Sequence, residues 1–151
     1  MAWGDHVLRA EMVVPRPRDE VFGFFADAEN LEVITPPELG FHIRSPLPIQ
    51  MRVGALIEYQ LRLFGFSFRW RTRISRWEPG VCFVDEQLSG PYAKWVHTHR
   101  FGDAEGGTRV SDEVRYRLPF FPLGEVAFPL VRLQLKRIFD FRARRLRELL
   151  G

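Results

Sequence analysis

The sequence predicts an α+β fold in which a curved antiparallel sheet wraps a long C-terminal helix, with two short helices after the first strand. Three observations predict it. Residues 41–118 alternate apolar and polar side chains in strand-length runs, separated by turns rich in Gly, Pro and Asp. Residues 130–149 switch to a 3.6-residue period. Before the run of strands, prolines bracket two short helical stretches. The chain of 151 residues is long enough to bury its own core, and residues 1–151 are read as a single domain.

Residues 6–14 are rich in β-branched side chains and read as a strand that Pro15 and Pro17 end. Pro17, Asp19 and Glu20 suit a helix N-terminus, where acids oppose the positive end of the dipole, and Val21, Phe22 and Phe25 share one face. A second helical turn is expected over residues 29–34, stopped by Pro36 and Pro37. Residues 41–44 read as an edge strand, and residues 45–54, with two prolines and a glycine, as a loop.

Over residues 55–64, Ile57, Tyr59, Leu61 and Leu63 alternate with Glu58, Gln60 and Arg62. After Gly65, residues 66–77 set Phe68, Trp70, Thr72 and Ile74 against Arg69, Arg71 and Arg73. Strands over 81–88, 93–101 and 108–118 follow, joined by Ser89-Gly90-Pro91 and by a Gly-rich hairpin loop over 103–107. Beyond Pro119 and Pro122, Val131, Leu135, Ile138, Phe139, Arg142, Leu146 and Leu149 fall on one helical face. Pro129 either starts that helix or kinks it.

Aromatic residues make up 14% of the chain, including 14 Phe and 4 Trp, so many rings must be packed in a core or along a pocket wall. Cys82 is the sole cysteine, which excludes an internal disulfide and fits a reducing compartment. Met1 to Asp5 lacks the basic region and apolar run of a secretory leader, and no segment approaches the roughly 20 apolar residues of a membrane span. A cytoplasmic location is therefore expected.

The formal net charge of +3 comes mostly from Arg. Arg69, Arg71 and Arg73 project from one strand face, and Arg132, Arg137, Arg142, Arg144, Arg145 and Arg147 crowd the last helix. These read as a solvated surface or as a face for weak contact with anionic membrane or a partner. No helix-turn-helix, zinc knuckle or exposed ribonucleoprotein aromatic motif is present, so nucleic acid is not the expected partner.

The chemistry-bearing residues lie on the strand around Trp95. One face carries Trp95, His97, His99 and Phe101, the other Lys94, Val96, Thr98 and Arg100, and the ring-bearing face should point inward. Counting back through the preceding turn sets Gln87 opposite Trp95, Asp85 opposite His97 and Phe83 opposite His99. Counting through the next turn sets Phe101 opposite Val110, His99 opposite Asp112, His97 opposite Val114 and Trp95 opposite Tyr116. Directly opposed side chains come close enough to pair.

Asp85, Gln87, His97, His99 and Asp112 then form a polar cluster on an aromatic wall. Three roles fit it: a self-satisfied core network, an anchor for the polar end of an apolar ligand, or acid–base or metal chemistry. Two histidines and two carboxylates are an acceptable set for zinc or iron, but a His-x-His strand is a weak signal and no metal or other cofactor is expected. Ser89 and Ser111 lack a nucleophile elbow, and no catalytic residue is assigned.

The stretch P-R-P-R-D-E-V-F-G-F-F-A-D-A-E-N-L, Pro15 to Leu31, resembles the first-helix signature of the START-like (SRPBCC) superfamily, which includes birch-pollen allergens, lipid-transfer domains and polyketide cyclases. The segments Phe83 to Phe101 and Gly106 to Pro119 resemble bacterial ligand-binding SRPBCC proteins. The resemblance implies a helix-grip fold, in which a seven-stranded antiparallel sheet grips the last helix around a cavity for a lipid, sterol, polyketide or other apolar molecule. It implies no single reaction, because the scaffold hosts carriers and enzymes alike.

A non-enzymatic binding or carrier role is the leading expectation. Phe68, Trp70, Phe83, Trp95, Phe101 and Tyr116 would line the cavity, and Leu135, Ile138 and Phe139 would close it. His97, His99 and Asp112, with Asp85 and Gln87 beside them, would hold the ligand's polar group. The alternatives are a cyclase- or dehydratase-like enzyme with His97 or His99 as general base, and an interaction module that uses the basic helix.

Overall fold

The computed structural model describes residues 4–151; residues 1–3, part of the segment read for a leader, lie outside the described residues. The strands are β1 (His6–Val14), β2 (His42–Ile43), β3 (Leu56–Leu63), β4 (Phe66–Glu78), β5 (Cys82–Ser89), β6 (Lys94–Ala104) and β7 (Gly107–Arg117). Helices α1 (Arg18–Ala26) and α2 (Asn30–Val33) follow β1, and α3 (Phe128–Leu150) closes the described chain. The strands form one seven-stranded antiparallel sheet in the order β1-β7-β6-β5-β4-β3-β2. The α+β architecture with a long final helix is the one expected.

Several boundaries differ for identifiable reasons. The edge strand expected over 41–44 shrinks to two residues of β2, paired only to Gln60 and Tyr59. The hairpin loop expected over 103–107 tightens, because Asp103 still pairs with Thr108 and Gly106 takes the turn at φ 82. Two 3-10 turns, Pro37–Leu39 and Leu123–Ala127, occupy proline-rich stretches that carry no periodic signal. Pro129 sits in the first turn of α3, where its missing N–H costs nothing, so it starts the helix rather than kinking it. At the far end Leu150 is buried and Leu149 exposed, the reverse of the expected face.

Six of the seven expected strand pairs are present: Asp85–His97, Phe83–His99, Phe101–Val110, His99–Asp112, His97–Val114 and Trp95–Tyr116. The seventh, Gln87–Trp95, is not, because the β5–β6 pairing stops at Glu86–Val96. Gln87 instead bonds the backbone of Tyr92, donating to its carbonyl at 2.7 Å and accepting from its N–H at 3.1 Å. Register shifts leave Leu88 of β5 unpaired between Arg71 and Thr72 and Ser75 of β4 unpaired between Ile74 and Arg76, bulges that bend and twist their strands.

Two apolar clusters fill the concave side. One joins α1 to the C-terminal half of α3 through Val21, Phe22, Phe25, Phe83, Phe101, Leu146 and Leu150. The other surrounds the N-terminal half of α3 with Leu39, Leu61, Leu63, Trp70, Tyr92, Tyr116, Val131 and Leu135. Along β6, Trp95 belongs with the second cluster and Phe101 with the first. The two intervening inward residues, His97 and His99, therefore form a polar layer between two apolar ones.

Candidate ligand cavity

A cavity of about 150 Å³ lies between the sheet and α3. A dry void of that size accommodates a single six-membered ring. Its apolar walls come from β3 and β4 (Ile57, Tyr59, Leu61, Trp70), from the α2 region (Leu31, Ile34) and from α3 (Leu135, Ile138, Phe139). Its polar side carries Thr72, Asp85, His97, His99 and Arg142.

The polar layer is cross-braced. His97 Nε2 lies 2.8 Å from Asp112 Oδ1, and His99 Nε2 lies 2.6 Å from Asp85 Oδ2. Each histidine thus pairs with the carboxylate diagonal to it rather than the one opposite in the ladder. The two imidazoles stack with centroids 3.7 Å apart, and the Phe83 ring stacks on the far side of His99 at 4.0 Å. Arg142 reaches in from α3 and donates to Asp112 Oδ1 at 3.1 Å.

Burial and neighbouring charges together set the ionisation of His99, Asp85 and Asp112. Burial, helped by the nearby His97, pushes His99 down to about 4, against the pull of Asp85 and Asp112. Burial alone would raise both carboxyls. The His99 hydrogen bond and the charges of His97, His99 and Arg142 nevertheless hold Asp85 below the usual carboxylate range. The Arg142 guanidinium and the His97 bond hold Asp112 well below it. Burial and the Asp85 charge push the Tyr59 hydroxyl far up, so it stays neutral and acts as a hydrogen-bonding group. His99 Nδ1 is buried without a hydrogen-bond partner, and Asp112 Oδ1 lies 3.4 Å from it. Trp70 Nε1 and Arg142 Nε, also on cavity-lining residues, are buried and unpartnered as well.

Asp85, His97 and His99 bring potential metal-ligating atoms within 4.8 Å of one another. The stacked rings, inclined by only 24°, direct their in-plane lone pairs side by side rather than toward one point. One ring would have to rotate before both could hold the same ion.

Of the residues expected to form the site, Trp70, Asp85, Trp95, His97, His99, Leu135, Ile138 and Phe139 border the cavity. Phe83 and Phe101 do not; they pack against Phe22, with centroids 6.0 Å and 5.1 Å from its ring, under α1. Asp112 is inward but screened by His97 and Arg142. Tyr116 packs on Tyr92 and His6, Phe68 lies outside the lining, and Gln87 holds the Tyr92 loop. Arg142, counted with the basic surface, is 8% exposed and belongs to the polar layer; its place on the apolar helical face was the signal. Tyr59 and Thr72 were on the correct strand faces but were not singled out, whereas Phe41, Met51 and Tyr92 sit in loops without periodicity. Among the described residues no helix is long and apolar enough to cross a membrane.

Comparison with solved structures places the fold. An aromatase/cyclase, Zhui, from a Streptomyces species superposes with a TM-score of 0.77 at 14% identity over 97% of this chain and 93% of its own. TTHA0849 from Thermus thermophilus gives 0.71 at 21% identity over 95% of each chain. A major latex-like protein from Panax ginseng gives 0.67 at 10% identity over 97% of this chain and 98% of its own. No curated protein matches the sequence. The profile of one family, described as polyketide cyclase / dehydrase and lipid transport, matches residues 14–141, and the chain belongs to that family.

Proposed function

We propose that this chain, acting in the cytoplasm as a single binding unit, holds a compact apolar molecule by one polar end. The observation that carries this reading is an apolar cavity of about 150 Å³ with one polar side, formed by Thr72, Asp85, His97, His99 and Arg142. A ligand hydroxyl on that side would exchange hydrogen bonds with these groups. The volume favours one ring or a short chain; a sterol or polyketide would require the walls to move.

The test is titration of p-cresol and of toluene, followed by fluorescence of Trp70 and Trp95 in the wall. Tighter binding of p-cresol than of toluene is expected, with His99→Leu abolishing the difference. Equal affinities in both proteins would remove His99 from the anchor, and no saturable binding of either compound would overturn the cavity reading.

The crossed carboxylate–imidazole pairs favour one second reading, a cyclase- or dehydratase-like enzyme. Asp85, 2.6 Å from His99 Nε2, would orient that ring as a general base. It predicts turnover that His99→Ala abolishes while binding of toluene survives.

A further inference from the structure

In the antiparallel order of the sheet, the turn between β3 and β4 and the segment leaving β7 emerge at the same end. Leu63, Leu118 and Val131, buried in one cluster, join them. Beyond that cluster both tips are apolar and exposed: Phe66 is 71% exposed, Phe120 83%, Leu123 79% and Val126 87%. Large apolar side chains this exposed, gathered at one end, mark a contact surface rather than ordinary scatter.

The backbone points the same way. Phe64 (φ 53) and Phe120 (φ 58) are the only non-glycine residues in the left-handed region among the described residues. That conformation is costly for a bulky side chain; at Phe64 the two-residue hairpin turn with Gly65 (φ 82) requires it, and at Phe120 it accompanies a side chain 83% exposed.

The chemistry beside the tips selects the partner. A groove of about 700 Å³ runs between β1 and α3, with Leu8, Phe128 and Leu133 along it and Arg9, Arg132, Lys136 and Asp140 at its rim; Arg9 pairs with Glu113 and Lys136 with Asp140, so Arg132 gives the rim its net positive charge. Apolar tips that project singly and sit beside a cation-rimmed apolar groove match the layered chemistry of an anionic bilayer surface, acyl chains below and phosphates above. A second protein would have to offer matching pockets for each projecting side chain.

We propose that this end of the molecule docks on an anionic lipid surface, with Phe66, Phe120, Leu123 and Val126 entering the acyl boundary and Arg132 and Lys136 against headgroup phosphates. The docking surface is separate from the cavity and stands whatever the cavity holds.

The test is co-sedimentation of the full chain with vesicles of phosphatidylcholine alone and with about one third phosphatidylglycerol. Binding is expected on the anionic vesicles, weakening as salt rises from about 50 to about 500 mM. Phe120→Ser and Val126→Asp should each weaken it roughly tenfold, because each removes a buried apolar side chain. Arg132→Glu with Lys136→Glu should abolish the preference for phosphatidylglycerol. Unchanged melting temperature and unchanged toluene binding in Val126→Asp would show an intact fold and cavity. No binding at low salt, or binding that survives all four substitutions, overturns the proposal. So does a concentration-dependent dimer that Val126→Asp dissociates, which would assign the tips to a second copy.

Discussion

Arg142 on α3 and Asp112 on β7 meet at 3.1 Å, each side chain more than nine-tenths buried, and so tie the helix to the second strand of the sheet. Breaking a buried pair from one side leaves an uncompensated charge. Arg142→Leu should therefore cost about 3–5 kcal/mol in urea denaturation. Without the guanidinium, burial governs Asp112 and its carboxyl should rise toward and above the ordinary range, as NMR titration would show. Adding Asp112→Leu should recover a large part of the lost stability; no recovery would mean that the pair matters chiefly through His97.

Acid should weaken the fold in a defined window. His99 titrates at about 4 in the native protein, against 6.5 for an unhindered imidazole. Between those values the unfolded chain binds a proton that the native chain refuses, so stability falls as pH drops from about 6.5 to about 4, and this contribution levels off below that. Asp85 and Asp112, held low, add their losses only at still lower pH, as each is protonated through its native pKa. Urea midpoints measured across the window should slope accordingly, and His99→Gln should remove about one proton from that slope.

Trp70 should tolerate one substitution and not another. Its indole N–H is buried without a partner, a defect worth about 1–3 kcal/mol that Trp70→Phe removes while keeping a ring against Tyr59 and Trp95. Thermal melts should place Trp70→Phe within about 1 kcal/mol of the parent, and Trp70→Ala about 3–5 kcal/mol lower. Equal losses would show that the indole N–H is satisfied in solution.

Gly107 opens β7 at φ 155, and a Cβ there would overlap the Val14 carbonyl oxygen. Gly107→Ala must push β1 from β7, at a cost of about 1–3 kcal/mol. Hydrogen exchange should locate the loss at Val13 and Val14; a loss spread evenly over the sheet would contradict this.

The antiparallel meander and final helix were legible because their periods are clean, and the His/Asp layer was legible because the β6–β7 register runs without a bulge. Arg142 was on the correct face yet read as surface, since a period of 3.6 locates a side chain but not the carboxylate waiting for it. Phe83 and Phe101 were given to the cavity because alternation fixes which face a residue takes, not how far along the strand α1 covers it. Phe41, Met51 and Tyr92 reach the cavity from loops, where only the three-dimensional path of the chain decides.

The shortened β5–β6 pairing has a kinetic meaning. Past Glu86–Val96, the Tyr92 side of the wall is held by the two Gln87 bonds rather than by continued pairing of β5 with β6. Swinging Tyr92 outward would break both Gln87 bonds and lift its ring off Trp70, Trp95 and Tyr116, while the ladder pairs of the sheet stay intact. Residence of a guest would then depend on this aromatic latch as much as on the polar layer beneath.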